Sequence, residues 1–125
     1  MCLTKVDKVY DEPLNEWKVG YKVVAIDEDG DMKAPYQYCY YNKNNTTHGL
    51  RKPEYPYLFG FFIWRTKIGA KENMRVGSMW SDYNYEVWQV KYRKITASGW
   101  CNTGEMKRAY SCDCALEMNF IKKVC

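Results

Sequence analysis

The amino-acid sequence predicts one α+β domain over residues 1–125, with a mostly antiparallel sheet of five to six strands and one short helix. Chain length supports a single domain, because 125 residues seldom bury two separate cores. Composition supports a folded core, because 12 Tyr and 5 Trp supply large buriable side chains where aliphatic residues are few. Residue patterning supports the sheet, because several stretches alternate apolar and polar residues with the period of two that is typical of strands.

The first third of the chain predicts a β-hairpin. Residues 17–24 alternate apolar and polar side chains, as a half-buried strand does. The side chains on its apolar face are Trp17, Val19, Tyr21 and Val23. Asp29-Gly30 supplies a turn, since glycine adopts positive φ at little cost. Residues 36–41 then form the returning strand, and residues 42–57 form a long loop interrupted by proline and glycine.

The middle of the chain predicts a buried strand followed by the helix. Residues 58–64 are a wholly apolar run, which favours a strand buried on both faces. Thr66 is a suitable N-cap for a helix that ends near Val76. The helical side chains expected to face the core are Ile68, Ala70 and Met74.

The last third predicts three further strands. Residues 86–92 place Trp88, Val90 and Tyr92 on one face of the first. Residues 107–114 and 115–121 predict the other two.

Localisation follows from the apolar stretches of the sequence. No run approaches the ~20 residues of a membrane span, and no apolar signal segment follows the first lysine, Lys5. We therefore expect a cytoplasmic protein whose six cysteines stay reduced.

Four of these cysteines are regularly spaced, as Cys101-x10-Cys112-x-Cys114-x10-Cys125. A hairpin centred on residues 106–107 would bring Cys101 opposite Cys112, and four thiolates are a sufficient ligand set for structural zinc. The usual C-x2-C pair of zinc sites does not occur. We therefore expect no cofactor and treat these cysteines as small buried side chains. Zinc bound by the four, or an adventitious disulfide, is the alternative.

Two other groups carry possible chemistry. Residues 27–31 resemble the start of an EF-hand loop, but Met32 and Tyr38 stand where that loop needs Gly and Glu, so we interpret them as an acidic turn. Cys2 would be an N-terminal nucleophile if Met1 were removed, and an enzyme that uses this nucleophile is one alternative.

His48 is the only histidine, and no phosphate-binding loop, dinucleotide fingerprint or zinc-protease motif occurs. We therefore expect a protein that is not an enzyme.

The most informative feature is a basic, aromatic segment in the middle of the chain. Residues 42–71 hold six basic side chains against Glu54 alone, and residues 36–64 hold 10 of the 21 aromatic residues. Tyr, Trp and Arg anchor protein interfaces, and aromatic faces beside basic residues also hold nucleotides and single strands. Protein binding is the first hypothesis, and nucleotide or single-stranded nucleic-acid binding is the alternative. The predicted binding residues are Tyr36, Tyr38, Tyr40, Lys43, His48, Arg51, Lys52, Tyr55, Tyr57 and Arg65.

Several short motifs resemble those of a group of small uncharacterised phage and prophage proteins. The motifs are Met1-Cys2-Leu3, Gly20-Tyr21-Lys22-Val23, Gly60-Phe61-x-Ile63-Trp64 before a helix containing Ala70, and the strand 87–95. That group has a Gly-Phe-His stretch, and this chain has Phe62 at the position of the His. The resemblance implies a phage accessory protein in a bacterial cytoplasm, with a host or antiviral-defence protein as its partner. Under the alternative hypothesis, the protein sequesters a defence signalling nucleotide.

Overall fold

All seven strands that the structure describes belong to one antiparallel sheet. The computed structural model describes residues 3–34, 41, 47–48, 60–79, 83–102 and 108–124. In chain order the elements are β1 (Lys5–Leu14), β2 (Lys18–Ile26), β3 (Met32–Lys33), β4 (Thr47–His48), β5 (Phe61–Trp64), α1 (Lys67–Met79), β6 (Asn84–Asn102) and β7 (Ala109–Lys123). The predicted antiparallel sheet with one short helix is confirmed. The helix has only 13 residues, so the fold is dominated by its sheet and fits the α+β class weakly.

The sheet is organised around the two long strands β6 and β7, which pair along most of their length. Strands β1 and β2 follow one another along the other edge of β6, opposite residues 95–100 and 84–92 respectively. Strand β5 pairs with β7 and also meets β2 where Tyr21 lies opposite Trp64. The pairings therefore run from β2 through β6, β7 and β5 back to β2, and the sheet closes on itself.

The turn after β2 has the predicted position and chemistry. The Asp27 Oδ1 atom accepts hydrogen bonds from the backbone N–H groups of Asp29 (3.0 Å) and Asp31 (2.9 Å). Gly30 has a φ of 83°, a conformation that glycine adopts readily. The strand that returns from this turn is β3, whereas the predicted returning strand, 36–41, lies outside the described residues except for Tyr41.

Two predictions about the last third of the chain are wrong. The strands predicted at 107–114 and 115–121 form one continuous strand, β7, because nothing between Cys114 and Ala115 interrupts an extended backbone. The predicted pairing of Cys101 with Cys112 is displaced by two residues, because Cys101 lies opposite Tyr110 and Cys112 lies opposite Gly99.

Strand β1 was not predicted, since its many charged residues hide the apolar alternation.

Helix α1 packs on one face of the sheet through small residues. Thr66 Oγ1 accepts a hydrogen bond from the Gly69 N–H (3.1 Å), as an N-cap does. Ala70 is fully buried. A Cβ atom on Gly69 would lie 2.8 Å from Tyr110 Cβ, so this glycine allows the helix to approach the sheet closely. The prediction that Ile68 faces inward is wrong, because its side chain lies on the outer side of the helix and is 65% exposed.

The core consists of two clusters on the two faces of the sheet. The first contains Ala70 of α1 together with Phe62, Trp64 and several cysteines. The second contains Ile63, Val90, Tyr92, Ile95 and Met118. All four residues of β5 are buried, which confirms the strand predicted there. Within the described part of the chain, no helix is long and apolar enough to cross a membrane.

Candidate binding site

A fully buried carboxylate, that of Asp113 in β7, organises a cluster of polar side chains in the sheet. Its Oδ1 atom accepts hydrogen bonds from Arg65 Nε (3.1 Å), Arg65 Nη2 (2.8 Å) and Ser98 Oγ (2.6 Å). Its Oδ2 atom accepts one from the Tyr92 hydroxyl (2.7 Å). The cluster joins β6 and β7 to Arg65, the residue that follows β5, through contacts far apart in the sequence. A buried charge needs such partners, because it has lost its hydration.

The proton states of this cluster are fixed around neutral pH. Burial opposes ionisation of Asp113, but the hydrogen bonds from Arg65, Ser98 and Tyr92 outweigh it and lower the pKa of the carboxyl. The hydrogen bond to Asp113 raises the pKa of Arg65. Burial, followed by the hydrogen bond to Asp113, raises the pKa of Tyr92. Since these shifts all lead away from neutrality, the arrangement holds a guanidinium in place and is poorly suited to moving protons.

Close backbone packing at Gly20 makes room for this cluster. A Cβ atom on Gly20 would lie 2.8 Å from Ile63 Cγ2 and 2.9 Å from Tyr92 Cε1. Real Cβ atoms do not approach other atoms so closely. The absence of a side chain in β2 therefore lets the Tyr92 ring lie against the strand while its hydroxyl reaches Asp113.

The register of the sheet places the Arg65 side chain at one end of a row of neighbouring residues that crosses four strands. The Arg65 backbone N–H donates to the Ser111 carbonyl (3.0 Å), Ser111 lies opposite Trp100, and Trp100 lies opposite Lys5. Residues directly opposite in a ladder share a face of the sheet. The Arg65 and Trp100 side chains are each 40% exposed, so the row presents a cation and an aromatic ring to solvent.

A second row beside the first adds more charge and another ring. Asp113 lies opposite Ser98, and Ser98 lies opposite Lys8. The Tyr10 hydroxyl is 3.4 Å from Ser98 Oγ, and Lys8 Nζ is 5.0 Å from the centre of the Tyr10 ring. We call the exposed part of the two rows the Arg65 surface; it consists of Lys5, Lys8, Tyr10, Arg65 and Trp100. Its five side chains include three cations, Lys5, Lys8 and Arg65, and the carboxylate of Asp113 is buried beneath them.

A separate aromatic and basic group lies where β2 begins, and we call it the Trp17 patch; it consists of Trp17, Val19, Lys91 and Arg93. Lys91 Nζ and Arg93 Cζ are 4.9 Å and 4.5 Å from the centre of the Trp17 ring. Val19 lies opposite Lys91 in the sheet. Trp17 is 39% and Val19 55% exposed. Trp17 and Val19 were predicted on the apolar face of their strand. On that face only Tyr21 and Val23 pack into the first core cluster, which contains Ala70 of α1.

A buried glutamate holds part of the Trp17 patch in position. Glu117 Oε2 accepts a hydrogen bond from Arg93 Nε, and Glu117 forms an ion pair with Lys94, whose Nζ is 2.6 Å from Glu117 Oε1. Burial opposes ionisation of Glu117, but the contacts with Lys94 and Arg93 outweigh it and lower its pKa. The Arg93 guanidinium beside Trp17 is therefore anchored by a carboxylate, as Arg65 is.

Of the predicted binding residues, Arg65 is the one whose side chain the structure describes, and it lies at the centre of the Asp113 cluster. His48 belongs to β4, where its backbone pairs with Glu117. The others lie outside the described residues, and they are Tyr36, Tyr38, Tyr40, Lys43, Arg51, Lys52, Tyr55 and Tyr57. Cys2, the candidate nucleophile, also lies outside them.

Sequence reasoning missed the polar partners of Arg65. The available signal was the position of Asp113 between two cysteines in an otherwise apolar stretch. An acidic residue there must find a cationic or hydrogen-bonding partner if the strand is buried. The identity of those partners, Ser98 and Tyr92, depends on the pairing of β6 with β7.

The described cysteines pack in the core as free thiols. Cys101, Cys112 and Cys114 are buried in the first cluster. Burial, and then the nearby thiols of Cys101 and Cys114, raise the pKa of Cys112, which favours the thiol over the thiolate that zinc requires. Cys125 lies outside the described residues.

In the described part of the chain, the one group of three possible metal ligands within 4.8 Å of each other is Asp27, Asp29 and Asp31. These residues belong to the β2–β3 turn. Asp27 already accepts two backbone N–H groups there, so the turn has a structural explanation.

Fold and site together define a small, sheet-dominated protein that presents basic and aromatic side chains on the Arg65 surface and the Trp17 patch. No protein-family model, no curated protein and no solved structure matches the chain. The function is therefore argued from the two surfaces themselves.

Proposed function

We propose that this protein acts by binding, and that it inhibits a bacterial host or antiviral-defence protein through the Arg65 surface. The observation that supports the proposal best is the guanidinium of Arg65, held in place by a buried carboxylate and 40% exposed. Trp100 is equally exposed and lies in the same row. Tryptophan and arginine contribute most often to the binding energy of protein interfaces. The bacterial setting rests on the resemblance to phage proteins.

The charge of the Arg65 surface indicates the character of the partner. Lys5 and Lys8 lie on β1, on the same surface as the Arg65 and Trp100 side chains. Asp113 is buried beneath this surface. A basic surface attracts acidic partners and raises the rate of association, particularly at low ionic strength. The partner is therefore expected to be acidic where it contacts Arg65.

Affinity capture from a bacterial lysate tests this proposal. The tagged wild-type chain is compared with an Arg65→Ala, Trp100→Ala double variant, with and without nuclease. Arg75→Ala is the matched control, because Arg75 is also exposed and paired with a carboxylate, that of Glu72. A nuclease-resistant partner that the double variant loses and the control retains is expected. Equal capture by all three proteins would contradict the proposal.

The Trp17 patch favours a second candidate function, the binding of a nucleotide or a single nucleic-acid strand. An exposed tryptophan provides a surface on which bases stack, and neighbouring cations such as Lys91 and Arg93 neutralise phosphates. A ligand that binds only the folded state raises the melting temperature. Nucleotides and short oligonucleotides are therefore expected to stabilise wild-type protein and Trp100→Ala, but not Trp17→Ala. No shift at millimolar ligand would contradict this second function.

A further inference from the structure

We infer that the Arg65 surface binds a short acidic peptide segment, with one carboxylate on Arg65, a second on Lys5, and an apolar side chain on Trp100. The inference rests on the proposed function and specifies the chemistry of the partner at that same surface. It follows from the donors that Arg65 still has available, from the rigidity of its side chain, and from the spacing of the row that crosses the sheet.

The first step concerns the hydrogen-bond donors of Arg65. A guanidinium has five N–H donors. The Nε atom and Nη2 donate to Asp113, and Nη2 also donates to Ser98. Within the described part of the chain, Nη1 has no hydrogen-bond partner. Its two N–H groups are therefore available to a carboxylate oxygen from another molecule.

The second step concerns the cost of ordering the side chain. A free arginine on a surface loses rotamer entropy when it binds. Arg65 is already held by hydrogen bonds of 2.8 Å and 3.1 Å to a carboxylate that is itself completely buried. The guanidinium therefore has a defined position before the partner arrives, which favours affinity and a specific direction of approach.

The third step compares the row with the dimensions of a peptide. Neighbouring strands lie about 4.8 Å apart, so Arg65 and Trp100 are about 10 Å apart across the sheet, and Lys5 is about 14 Å from Arg65. An extended peptide advances about 3.4 Å per residue. Only every second side chain of an extended segment points to the same face. A segment that crosses the strands would therefore place an acidic side chain on Arg65, an apolar side chain two residues later beside Trp100, and another acid two residues further at Lys5. A single phosphate would occupy only one of these positions.

The test uses blocked synthetic peptides and the 125-residue chain labelled with nitrogen-15. The acidic probe is Glu-Ala-Phe-Ala-Glu, and the neutral probe replaces both Glu by Gln. The signals followed are the Arg65 Nε–H and the Trp100 indole N–H, assigned by their loss in Arg65→Lys and Trp100→Phe. We expect the acidic peptide to shift both signals, and the neutral peptide to bind at least tenfold more weakly.

Variants then separate the role of Arg65 from that of charge alone. Arg65→Lys keeps the charge but lacks the planar fork that Asp113 orients, so at least a tenfold loss of affinity for the acidic peptide is expected. Arg75→Lys is the matched control and should bind as the wild type does. Trp100→Ala and Lys5→Gln change exposed residues outside the Asp113 cluster, so they test the same row even if Arg65→Lys folds poorly. Each is expected to weaken binding.

Several results would overturn the inference. These are the absence of shifts at millimolar acidic peptide, equal binding of the neutral peptide, and wild-type affinity in a folded Arg65→Lys or in Trp100→Ala. Stronger shifts with inorganic phosphate or adenosine monophosphate than with the peptide would instead identify a nucleotide site. If the peptide fails while lysate capture still depends on Arg65 and Trp100, only the inference fails. If capture is also independent of both residues, the proposed function fails as well.

Discussion

Replacing Asp113 by Asn should destabilise the protein by about 3 kcal/mol at neutral pH. The substitution keeps the size of the side chain but removes the charge that faces Arg65, Ser98 and Tyr92. Breaking a buried ion pair costs about 3–5 kcal/mol. We take the lower end, because the Arg65 side chain is 40% exposed and water screens its charge. The two hydroxyls can also turn to accept hydrogen bonds from the new amide.

The same substitution should change how stability depends on pH. The pKa of Asp113 is lower in the folded protein than in the unfolded chain. Its carboxylate therefore stabilises the fold fully above pH about 5, where the unfolded chain is also ionised. That stabilisation is lost as pH falls from about 5 through the folded-state pKa. In Asp113→Asn this contribution is absent, so the decline of stability on acidification should be shallower.

Urea unfolding at pH 7 and at several lower pH values measures both effects. Small proteins have urea m-values of about 1–3 kcal/mol/M, so the expected loss lowers the midpoint by about 1–3 M. Glu72→Gln is the matched control, because it breaks an exposed Arg–carboxylate pair (3.3 Å) on α1 and should cost about 0.5 kcal/mol or less. Equal losses in the two variants, or an unchanged pH profile in Asp113→Asn, would refute the reasoning.

Three further predictions concern the helix and the buried acids. Thr66→Ala removes the N-cap of α1 and should lower the free energy of unfolding by about 1 kcal/mol, measured by urea titration. Gly69→Ala should be destabilising in the same assay, although alanine favours helices by about 1 kcal/mol, because the new Cβ would meet Tyr110 Cβ at 2.8 Å; a gain in stability would show that the helix can move outward. The pKa values of Tyr92 and Cys112 are raised in the folded protein. Stability should therefore fall as pH rises past about 8.5–10, the ordinary values of these groups, and Tyr92→Phe, which cannot ionise, should make the alkaline decline shallower.

Local sequence patterns were sufficient to predict strand β5 and the start of helix α1. The apolar run containing β5 is buried on both faces, and Thr66 caps the helix that follows, because strand burial and N-capping depend on a few adjacent residues. The inward face of α1 was only partly predictable. Gly69 and Ala70 lie against the sheet, and hydrophobicity alone assigned the wrong orientation to Ile68.

The candidate site depends on contacts that no local pattern contains. Arg65 and Asp113 are 48 residues apart in the sequence, and Ser98 and Asp113 are 15 apart. Their meeting requires the register of β6, β7 and β5, which is set jointly by the whole sheet. Arg65 was predicted from its place in a basic segment. Trp100 in β6 and Lys5 in β1 are far apart in the sequence and carried no shared signal.

The proposed function gives the Arg65–Asp113 pair a role beyond stability, because the guanidinium that Asp113 holds is 40% exposed. Charges that leave water lose hydration, and a buried ion pair is often no more stable than apolar side chains of similar size. An apolar pair would pack beside Ile63 without needing Ser98 and Tyr92 as hydrogen-bond donors. It would not provide a guanidinium with a fixed plane and an outer nitrogen that can still donate. Under the proposed function, the polar cluster inside this sheet supports a charged contact on its surface.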